Sequence, residues 1–275
     1  MEHVRTTLAP FFAPDGFTPP PYWALAKELG VAPELGHAAA RAIAARAGSL
    51  TRPHTRRPLD ANGEPVVLLP GFLAGDYSLR VLSAVLRGNG YRTYRSTIRT
   101  NVSCANDAAL QLERRLETIV ARREQKVRIV GHSLGGMLGR GLAVRRPDLV
   151  AGVITMGSPL MAPGTAHPVL MSAASMLVRL SRAGVPGLMS EDCIQGECAR
   201  TTWEEFHADM SPEVDFTCIY SRWDGLVDWR SCIHPAANAI EVRASHVGMG
   251  ISPLVADRVL AELDRQRAAV ALRAA

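Results

Sequence analysis

The chain has 275 residues, of which 47% are hydrophobic and 21% are charged. This length and composition suit one folded domain with an elaborated insertion, and they exclude a wholly disordered chain. The net charge of +5 comes mainly from arginines scattered among acidic residues, a pattern typical of a solvated surface, so we expect no nucleic-acid partner. The sequence has no apolar run of membrane-spanning length and no secretory signal, so we expect a cytoplasmic protein without an integral membrane segment.

Residues 1–60 differ in composition from the rest of the chain. A proline cluster, Pro19 to Pro21, precedes an alanine-rich stretch from Leu35 to Ala47 that has strong helix propensity. The polar run from Thr51 to Asn62 has the character of a linker. We therefore predict a helical N-terminal extension with a linker over residues 1–60, followed by one domain over residues 61–275. The composition of the N-terminal extension is compatible with a cap, a dimer contact or a remnant of targeting.

From Glu64 onward, short apolar runs alternate with segments of helical periodicity. Six runs have the length and composition of strands: Pro65 to Leu69, Tyr91 to Ile98, Val127 to Val130, Val150 to Met156, Phe216 to Tyr220 and Ala239 to Val242. Helical spacing marks four other segments: Leu79 to Leu86, Leu110 to Val120, Leu134 to Arg145 and Pro253 to Arg267. This alternation predicts an α/β fold with a mostly parallel central sheet flanked by helices.

The alternation is interrupted between Gly157 and Asp215, a gap too long for a bare loop. Within it, the segment from Pro168 to Leu180 is apolar on nearly all sides, so this helix is either buried or covers something apolar. We predict a helical cap insertion at about residues 160–212. The cap is either a lid over a substrate or a packed excursion of the scaffold.

The sharpest local pattern is Gly-x-Ser-x-Gly at residues 131–135, with Ser133 at its centre. It follows one predicted strand directly and opens a predicted helix. At such a turn the serine adopts a strained backbone, and its hydroxyl projects above the sheet beside the free N–H groups of the helix start. This setting favours a nucleophile. The alternative is a serine that caps a helix in a glycine-rich turn.

A serine hydroxyl becomes a good nucleophile when a base takes its proton and an acid orients that base. Asp224 follows the fifth predicted strand, and His246 stands between the last strand and the closing helix. Asp228 is a rival acid four residues downstream, with a helix cap or an ion pair with Arg230 as its alternative role. His132, beside the serine, is expected to point away from the site and to pack.

At these motifs the chain resembles the α/β-hydrolase superfamily, and within it the bacterial lipases and esterases. The resemblance covers residues 64 to about 267, and it rests on Pro70-Gly71-Phe72, the 131–135 turn, Gly157-Ser158-Pro159, the 224–227 segment and Ser245-His246. It implies three catalytic residues, Ser133, Asp224 and His246, and two oxyanion donors, the N–H groups of Phe72 and Leu134. The chain departs from many relatives at Pro70, where histidine is common, and at Asp228, where proline is frequent.

The resemblance implies a serine hydrolase of carboxylic esters that needs neither a metal nor an organic cofactor. We expect a small-molecule or lipid ester as substrate, with an apolar acyl chain that contacts Leu73, Met176, Leu177 and Val247. An acyltransferase or thioesterase is an alternative, because an acyl-enzyme accepts other nucleophiles. A binding protein of the same fold without turnover is a further alternative.

The five cysteines are Cys104, Cys193, Cys198, Cys218 and Cys232. They form no Cys-x-x-Cys pair, and no histidine stands at ligand spacing, which disfavours a zinc site. Cys193 with Cys198, and Cys218 with Cys232, are two alternative disulfide pairs. The triplet Asn101-Val102-Ser103 matches a glycosylation acceptor, but without a signal sequence we interpret it as an ordinary loop.

Overall fold

The computed structural model of the protein describes residues 8–51 and 63–274. Six strands form one parallel sheet in the order β2-β1-β3-β4-β5-β6. Their bounds are Pro65–Leu69 (β1), Arg92–Arg95 (β2), Val127–His132 (β3), Val150–Met156 (β4), Asp215–Tyr220 (β5) and Asn238–Glu241 (β6). The sheet confirms the predicted α/β class and the six predicted strands.

Nine α-helices accompany the sheet in the described part of the chain. They are Val31–Thr51 (α1), Arg80–Gly88 (α2), Ala105–Arg123 (α3), Leu134–Arg145 (α4), Pro168–Arg182 (α5), Asp192–Gln195 (α6), Glu197–His207 (α7), His246–Met249 (α8) and Pro253–Ala274 (α9). Short 3-10 segments lie at Pro10–Phe12, Tyr22–Gly30, Asp76–Leu79, Pro163–Thr165 and Trp229–Cys232. None of the helices in the described residues has both the length and the apolar character of a membrane span.

The core lies on both faces of the sheet, and β1 shows why its sequence is a continuous apolar run. Val66 and Leu68 pack into one hydrophobic cluster, together with side chains of α2 and α9. Val67 and Leu69 point the other way, into a second cluster with side chains of α3 and α4. Successive side chains of a strand alternate between its faces, so a sheet covered on both sides needs apolar residues at every position.

The second strand is shorter than the predicted Tyr91 to Ile98, and a side chain from another segment explains the difference. The carboxylate of Asp76 accepts hydrogen bonds from the backbone N–H groups of Ser96, at 2.8 Å, and Thr97, at 2.9 Å. Thr97 also has a positive φ of 74°. These contacts take the chain out of the sheet after Arg95, because the captured N–H groups no longer pair with a neighbouring strand.

The helix predicted over Leu134 to Arg145 has those bounds in the structure, whereas the helix predicted over Leu110 to Val120 is longer at both ends, Ala105–Arg123. The alanine-rich helix of the extension runs over Val31–Thr51, and the closing helix runs to Ala274. Most of the predicted linker, residues 52–62, lies outside the described residues. In the predicted cap, Val178 is the fully buried residue of α5, whereas Val169, Met176 and Leu180 are exposed. The expected surplus of apolar surface on this helix is therefore present.

A buried arginine connects three elements beneath the sheet. Arg128 in β3 is 2% exposed, and its Nε donates to Glu64 Oε1 at 2.6 Å. Its Nη1 lies 3.0 Å from Gln266 Oε1 on α9 and 3.4 Å from Asp215 Oδ2 at the start of β5. A buried guanidinium is tolerated when its donors meet acceptors in this way, so Arg128 joins the strands to the closing helix.

Candidate active site

Ser133 lies at the sharp turn between β3 and α4 and has a strained backbone. Its φ is +52° and its ψ is −124°, a region that residues with a Cβ rarely adopt. Three backbone hydrogen bonds hold it there: its N–H donates to the Met156 carbonyl at 2.8 Å, and its carbonyl accepts from the N–H groups of Gly136, at 3.0 Å, and Met137, at 3.3 Å. The sequence argument for a strained serine at the carboxyl end of a central strand therefore agrees with the observed backbone.

Two glycines allow the chain to pass close to Ser133. A Cβ atom on Gly135 would overlap the backbone of Leu69, so α4 packs against the end of β1 only because that atom is missing. A Cβ atom on Gly71 would lie 3.0 Å from Ser133 Cβ and 3.2 Å from His132 Nδ1. The turn that carries Phe72, a predicted oxyanion donor, therefore lies directly against the serine.

Asn101 holds this turn in place; the turn (residues 70–74) is hereafter called the oxyanion turn after the role predicted for Phe72. Its side-chain Nδ2 donates to the Pro70 carbonyl at 2.8 Å, its backbone N–H donates to the Ala74 carbonyl at 2.8 Å, and its carbonyl accepts from Leu73 N–H at 3.1 Å. Asn101 is buried, with 1% of its surface exposed. Its amide therefore supports the oxyanion turn, a role that the sequence interpretation as an ordinary loop did not include.

His246 and Asp224 form a buried pair at the same edge of the sheet. His246 Nδ1 lies 2.7 Å from Asp224 Oδ2, and both residues are almost fully buried. The other carboxylate oxygen of Asp224 accepts the backbone N–H groups of Leu226 and Val227, each at 2.8 Å. Because a carboxylate accepts from Nδ1–H, this arrangement places the imidazole proton on Nδ1 and leaves Nε2 unprotonated in the neutral ring.

The surroundings of His246 favour its protonated form. Burial alone lowers the pKa of the ring, but the charge of Asp224, its hydrogen bond and the charge of Glu28 together raise the pKa above the ordinary histidine value. A histidine with a raised pKa is a stronger base toward a serine hydroxyl. The imidazolium that forms when it takes the proton is also more stable.

Glu28, from the N-terminal extension, joins the loops that carry the acid and the base. Its Oε1 accepts from Gly225 N–H and from His246 N–H, each at 2.9 Å, and its Oε2 accepts from Val247 N–H at 3.0 Å. A single carboxylate thus fixes the residue after Asp224 and the backbone of His246. Nothing in the sequence pointed to Glu28, because residues 1–60 carry none of the motifs of the resemblance.

Glu34, from α1, makes a second contact of the same kind. Its Oε1 accepts from Ser245 N–H at 2.9 Å, and its Oε2 accepts from Ser245 Oγ at 2.8 Å. Ser245 Oγ in turn accepts from Gly248 N–H at 3.0 Å, which caps the short helix α8. Two carboxylates of the extension therefore hold the segment that carries the base.

Asp228, the rival acid, and His132, beside the serine, have other contacts. Asp228 Oδ1 accepts from Arg230 N–H at 3.0 Å and caps the 3-10 segment after it, and its Oδ2 accepts from Thr18 N–H at 3.2 Å. His132 Nε2 donates to the backbone carbonyl of His246 at 2.9 Å. Burial and the neighbouring His246 lower the pKa of His132 to about 3, so its ring is neutral at neutral pH.

The structure brings the three predicted catalytic residues to one place without a direct hydrogen bond from the serine. Gly157 lies beside His246 and Asp224, because a Cβ atom placed on it would be 3.3 Å from His246 Nδ1 and 3.4 Å from Asp224 Oδ2. The preceding residue, Met156, accepts a hydrogen bond from the Ser133 N–H, which places Ser133 next to the same pair. Among the described residues, no hydrogen bond joins the Ser133 hydroxyl to His246. Such bonds are often long in free enzymes and tighten when substrate binds.

Comparison with known proteins gives the family. The sequence profile of the alpha/beta hydrolase family matches residues 12–275. The chain belongs to this family. The match confirms the resemblance to the α/β-hydrolase superfamily and extends it from residue 64 to residue 12.

Solved structures of other members share the fold of this α/β hydrolase at low identity. The lipase BlEst2 of Bacillus licheniformis, in its mature form, is 15% identical with a TM-score of 0.56, over 74% of this chain and 93% of the lipase. A structure of the metagenome-derived lipolytic enzymes LipS and LipT is 18% identical with a TM-score of 0.53, over 74% and 95% of the two chains. Tomato methylketone synthase I in complex with 2-tridecanone is 13% identical with a TM-score of 0.50, over 74% and 99%.

The side chains predicted to contact an acyl chain lie on three segments of this α/β hydrolase. Leu73, in the oxyanion turn, has a φ of 60° and is 48% exposed. Val247 follows His246 and is 46% exposed, and Met176 on α5 is 56% exposed. Leu177 is partly buried beside it. Exposed apolar side chains are available to a ligand, and their contact with an acyl chain stays a prediction.

The structure corrects the cysteine pairing considered from the sequence. All five cysteines are free thiols, so neither Cys193–Cys198 nor Cys218–Cys232 is bonded. Cys198 Sγ lies 3.4 Å from Cys104 Sγ, although the two residues are 94 positions apart. Proximity in sequence suggested the wrong partner, because the fold brings the start of α3 against α7.

Proposed function

We propose that this α/β hydrolase cleaves carboxylic esters with an apolar acyl chain, with Ser133 as the nucleophile, His246 as the base and Asp224 as the acid that orients it. The observation that carries the proposal is the buried 2.7 Å hydrogen bond between His246 and Asp224, beside a serine with a strained backbone. Membership of the family supports this assignment, because the same order of serine, acid and histidine recurs there.

The first half of the proposed reaction forms an acyl-enzyme. His246 Nε2 takes the proton of the Ser133 hydroxyl while the serine oxygen bonds to the ester carbonyl carbon. The carbonyl electron pair moves onto its oxygen, which accepts hydrogen bonds from the N–H groups of Phe72 and Leu134. The intermediate then collapses: the bond to the alcohol oxygen breaks, and His246 gives its proton to the leaving alcohol.

The second half repeats these steps with water. His246 takes a proton from a water molecule, whose oxygen attacks the acyl carbon, and the same N–H groups hold the oxyanion. Collapse breaks the bond to Ser133, which regains a proton from His246, and the carboxylic acid leaves. In both halves Asp224 keeps the Nδ1 proton in place, so that Nε2 faces the reacting groups, and it stabilises the imidazolium.

The exposed apolar side chains near the site support an apolar acyl group as substrate. Leu73 follows the proposed oxyanion donor Phe72, and Val247 follows the proposed base. We propose that the apolar surface of α5, including Met176, forms a further wall of the acyl pocket. Each buried methylene of a substrate contributes about 0.8 kcal/mol, so such a pocket favours longer acyl chains until it is filled.

Active-site labelling with a fluorophosphonate and turnover of p-nitrophenyl esters test the proposal together. We expect labelling of Ser133, and we expect Ser133→Ala to lower kcat by roughly 10⁴- to 10⁶-fold without loss of the folded state. Ser172→Ala, a change of an exposed serine on α5, is the control and should react normally.

Near-normal ester turnover by Ser133→Ala contradicts the nucleophile assignment. Labelling of Ser133 without turnover of any ester indicates a different acyl acceptor or a binding role. Comparison of an octanoate ester with the matching octanoyl thioester separates an esterase from a thioesterase, since both pass through the same acyl-enzyme.

A further inference from the structure

Three cysteines from separate segments meet at the junction between the predicted cap and the sheet domain. Cys104 immediately precedes α3, Cys193 lies in α6 and Cys198 lies in α7. Their three sulfur atoms all lie within 4.8 Å of one another, and the Cys104 and Cys198 sulfurs are 3.4 Å apart. No role in ester cleavage requires these thiols.

The size of this sulfur triangle suits a thiolate-bound metal. A tetrahedral centre with Zn–S bonds of about 2.3 Å places its sulfurs about 3.8 Å apart, and the observed 3.4 Å separation and 4.8 Å limit bracket this value. Small side-chain rotations therefore suffice to bring all three sulfurs to one ion. Hard cations such as Mg²⁺ or Ca²⁺ are excluded as natural occupants by the all-sulfur ligand set.

The surroundings leave room for a fourth ligand. Cys198 is buried, whereas Cys104 and Cys193 are only partly buried, so one side of the triangle faces solvent. Ser190 supports the outer cysteine: its N–H lies 3.4 Å and its Oγ 3.6 Å from Cys193 Sγ. Hydrogen bonds of this kind orient a metal ligand.

We propose that Cys104, Cys193 and Cys198 together bind a thiophilic metal ion such as Zn²⁺, with a water molecule as the fourth ligand. Each thiol releases its proton to solvent as its sulfur bonds to the metal, so binding strengthens with rising pH. A disulfide is a weaker explanation, because it uses two of the three sulfurs and leaves the third without a function.

The bound ion would join the predicted cap to the segment that supports the oxyanion turn. Cys104 is three residues from Asn101, which holds that turn. One backbone hydrogen bond already joins these regions, from Met189 N–H to the Val102 carbonyl at 2.8 Å. The metal adds a second connection nearby, and its role is structural and independent of the proposed ester hydrolysis.

Titration of the reduced, metal-free full-length protein with Co²⁺ tests the site directly. We expect a thiolate-to-cobalt charge-transfer band that saturates at one equivalent and disappears when Zn²⁺ is added. Cys104→Ser, Cys193→Ser and Cys198→Ser should each lose the band, and Cys232→Ser should keep it. Zn²⁺ should also raise the melting temperature of the wild type but not that of Cys193→Ser.

A protection measurement keeps the test decisive if a serine variant does not fold. Zn²⁺ should slow alkylation of the three clustered thiols in the wild type, as read by peptide mass spectrometry, and should leave Cys218 unaffected. The proposal is overturned if the reduced protein gives no cobalt–thiolate band, or if all three variants keep it. The metal-site proposal is also overturned if the reduced protein binds no metal and the oxidised protein is lighter by two hydrogen atoms because a Cys104–Cys198 disulfide has formed.

Discussion

Glu28→Gln tests two effects of Glu28 on His246: the effect of its negative charge on the pKa of the ring, and the effect of its hydrogen bonds on the backbone position. The amide oxygen of glutamine can still accept from Gly225 and His246, but its NH₂ group then faces the Val247 N–H, where Glu28 Oε2 accepted at 3.0 Å. One hydrogen bond to a charged group is lost and one negative charge is removed. A bond of this kind contributes about 1.5–3 kcal/mol, so we expect the free energy of unfolding to fall by about that amount or less.

The pH dependence of kcat/KM reports the effect of the Glu28 charge on the pKa of His246. The proposed base must be neutral in the free enzyme, so activity falls as the pH drops through the pKa of His246. The charge of Glu28 raises that pKa, and its removal lowers it. The acid limb of the profile should therefore move to lower pH in Glu28→Gln. The altered backbone position of His246 should also lower kcat/KM at its plateau by about ten-fold.

Glu34→Gln is the matched control, because Glu34 holds the adjacent Ser245 rather than His246. It should weaken folding by a similar amount and leave the acid limb in place. Equal shifts in both variants would mean that the limb reports a general loosening of the extension. An unchanged limb in Glu28→Gln would refute the electrostatic part of the argument, and unchanged kcat/KM would refute the positioning part.

Three further predictions concern the acid, the acyl pocket and the fold. Asp224→Asn should lower kcat by about 10⁴-fold, because the base then adopts the wrong tautomer, whereas Asp228→Asn should change the rate little; the reverse order in ester assays would transfer the role to Asp228. Met176→Glu should reduce kcat/KM for octanoate esters far more than for acetate esters, with Val270→Glu, at an exposed apolar position of α9, as the charge control; equal losses on both esters would assign α5 to the scaffold. Arg128→Met should lower the free energy of unfolding in urea by roughly 3–5 kcal/mol, because it removes the cation between partly buried acceptors, and a change below experimental error would contradict that reasoning.

The elements of the sheet were predictable because burial on both faces leaves a continuous apolar run in the sequence. Val66 to Leu69 is such a run, and each of its residues lies in the core. The same logic selected Ser133, Asp224 and His246 as candidates, since Ser133 directly follows β3 and the other two lie in the loops after β5 and β6, at one edge of the sheet. The early end of β2 was not predictable, because it depends on the Asp76 carboxylate from a distant turn.

The contacts of Glu28 and Glu34 with distant backbone N–H groups left no pattern in the sequence. Glu28 lies 197 and 218 residues from Gly225 and His246, and any carboxylate at that place in space would serve them. The three-cysteine cluster was not predictable for a related reason, because its members are not all close together in the sequence. Its third member, Cys104, is 94 positions from Cys198 in the sequence.

The contacts of the extension suggest why the proposed base needs support from so far away in the sequence. His246 and Val247 are the first residues of α8, and the first N–H groups of a helix have no partner within it. Glu28 accepts from both of them, and Glu34 holds the capping residue Ser245. A negative charge at a helix start is favourable, and the same charge favours a protonated imidazole close by. One carboxylate can therefore fix the backbone of the base and strengthen it as a base, so the extension acts on His246 rather than on Ser133.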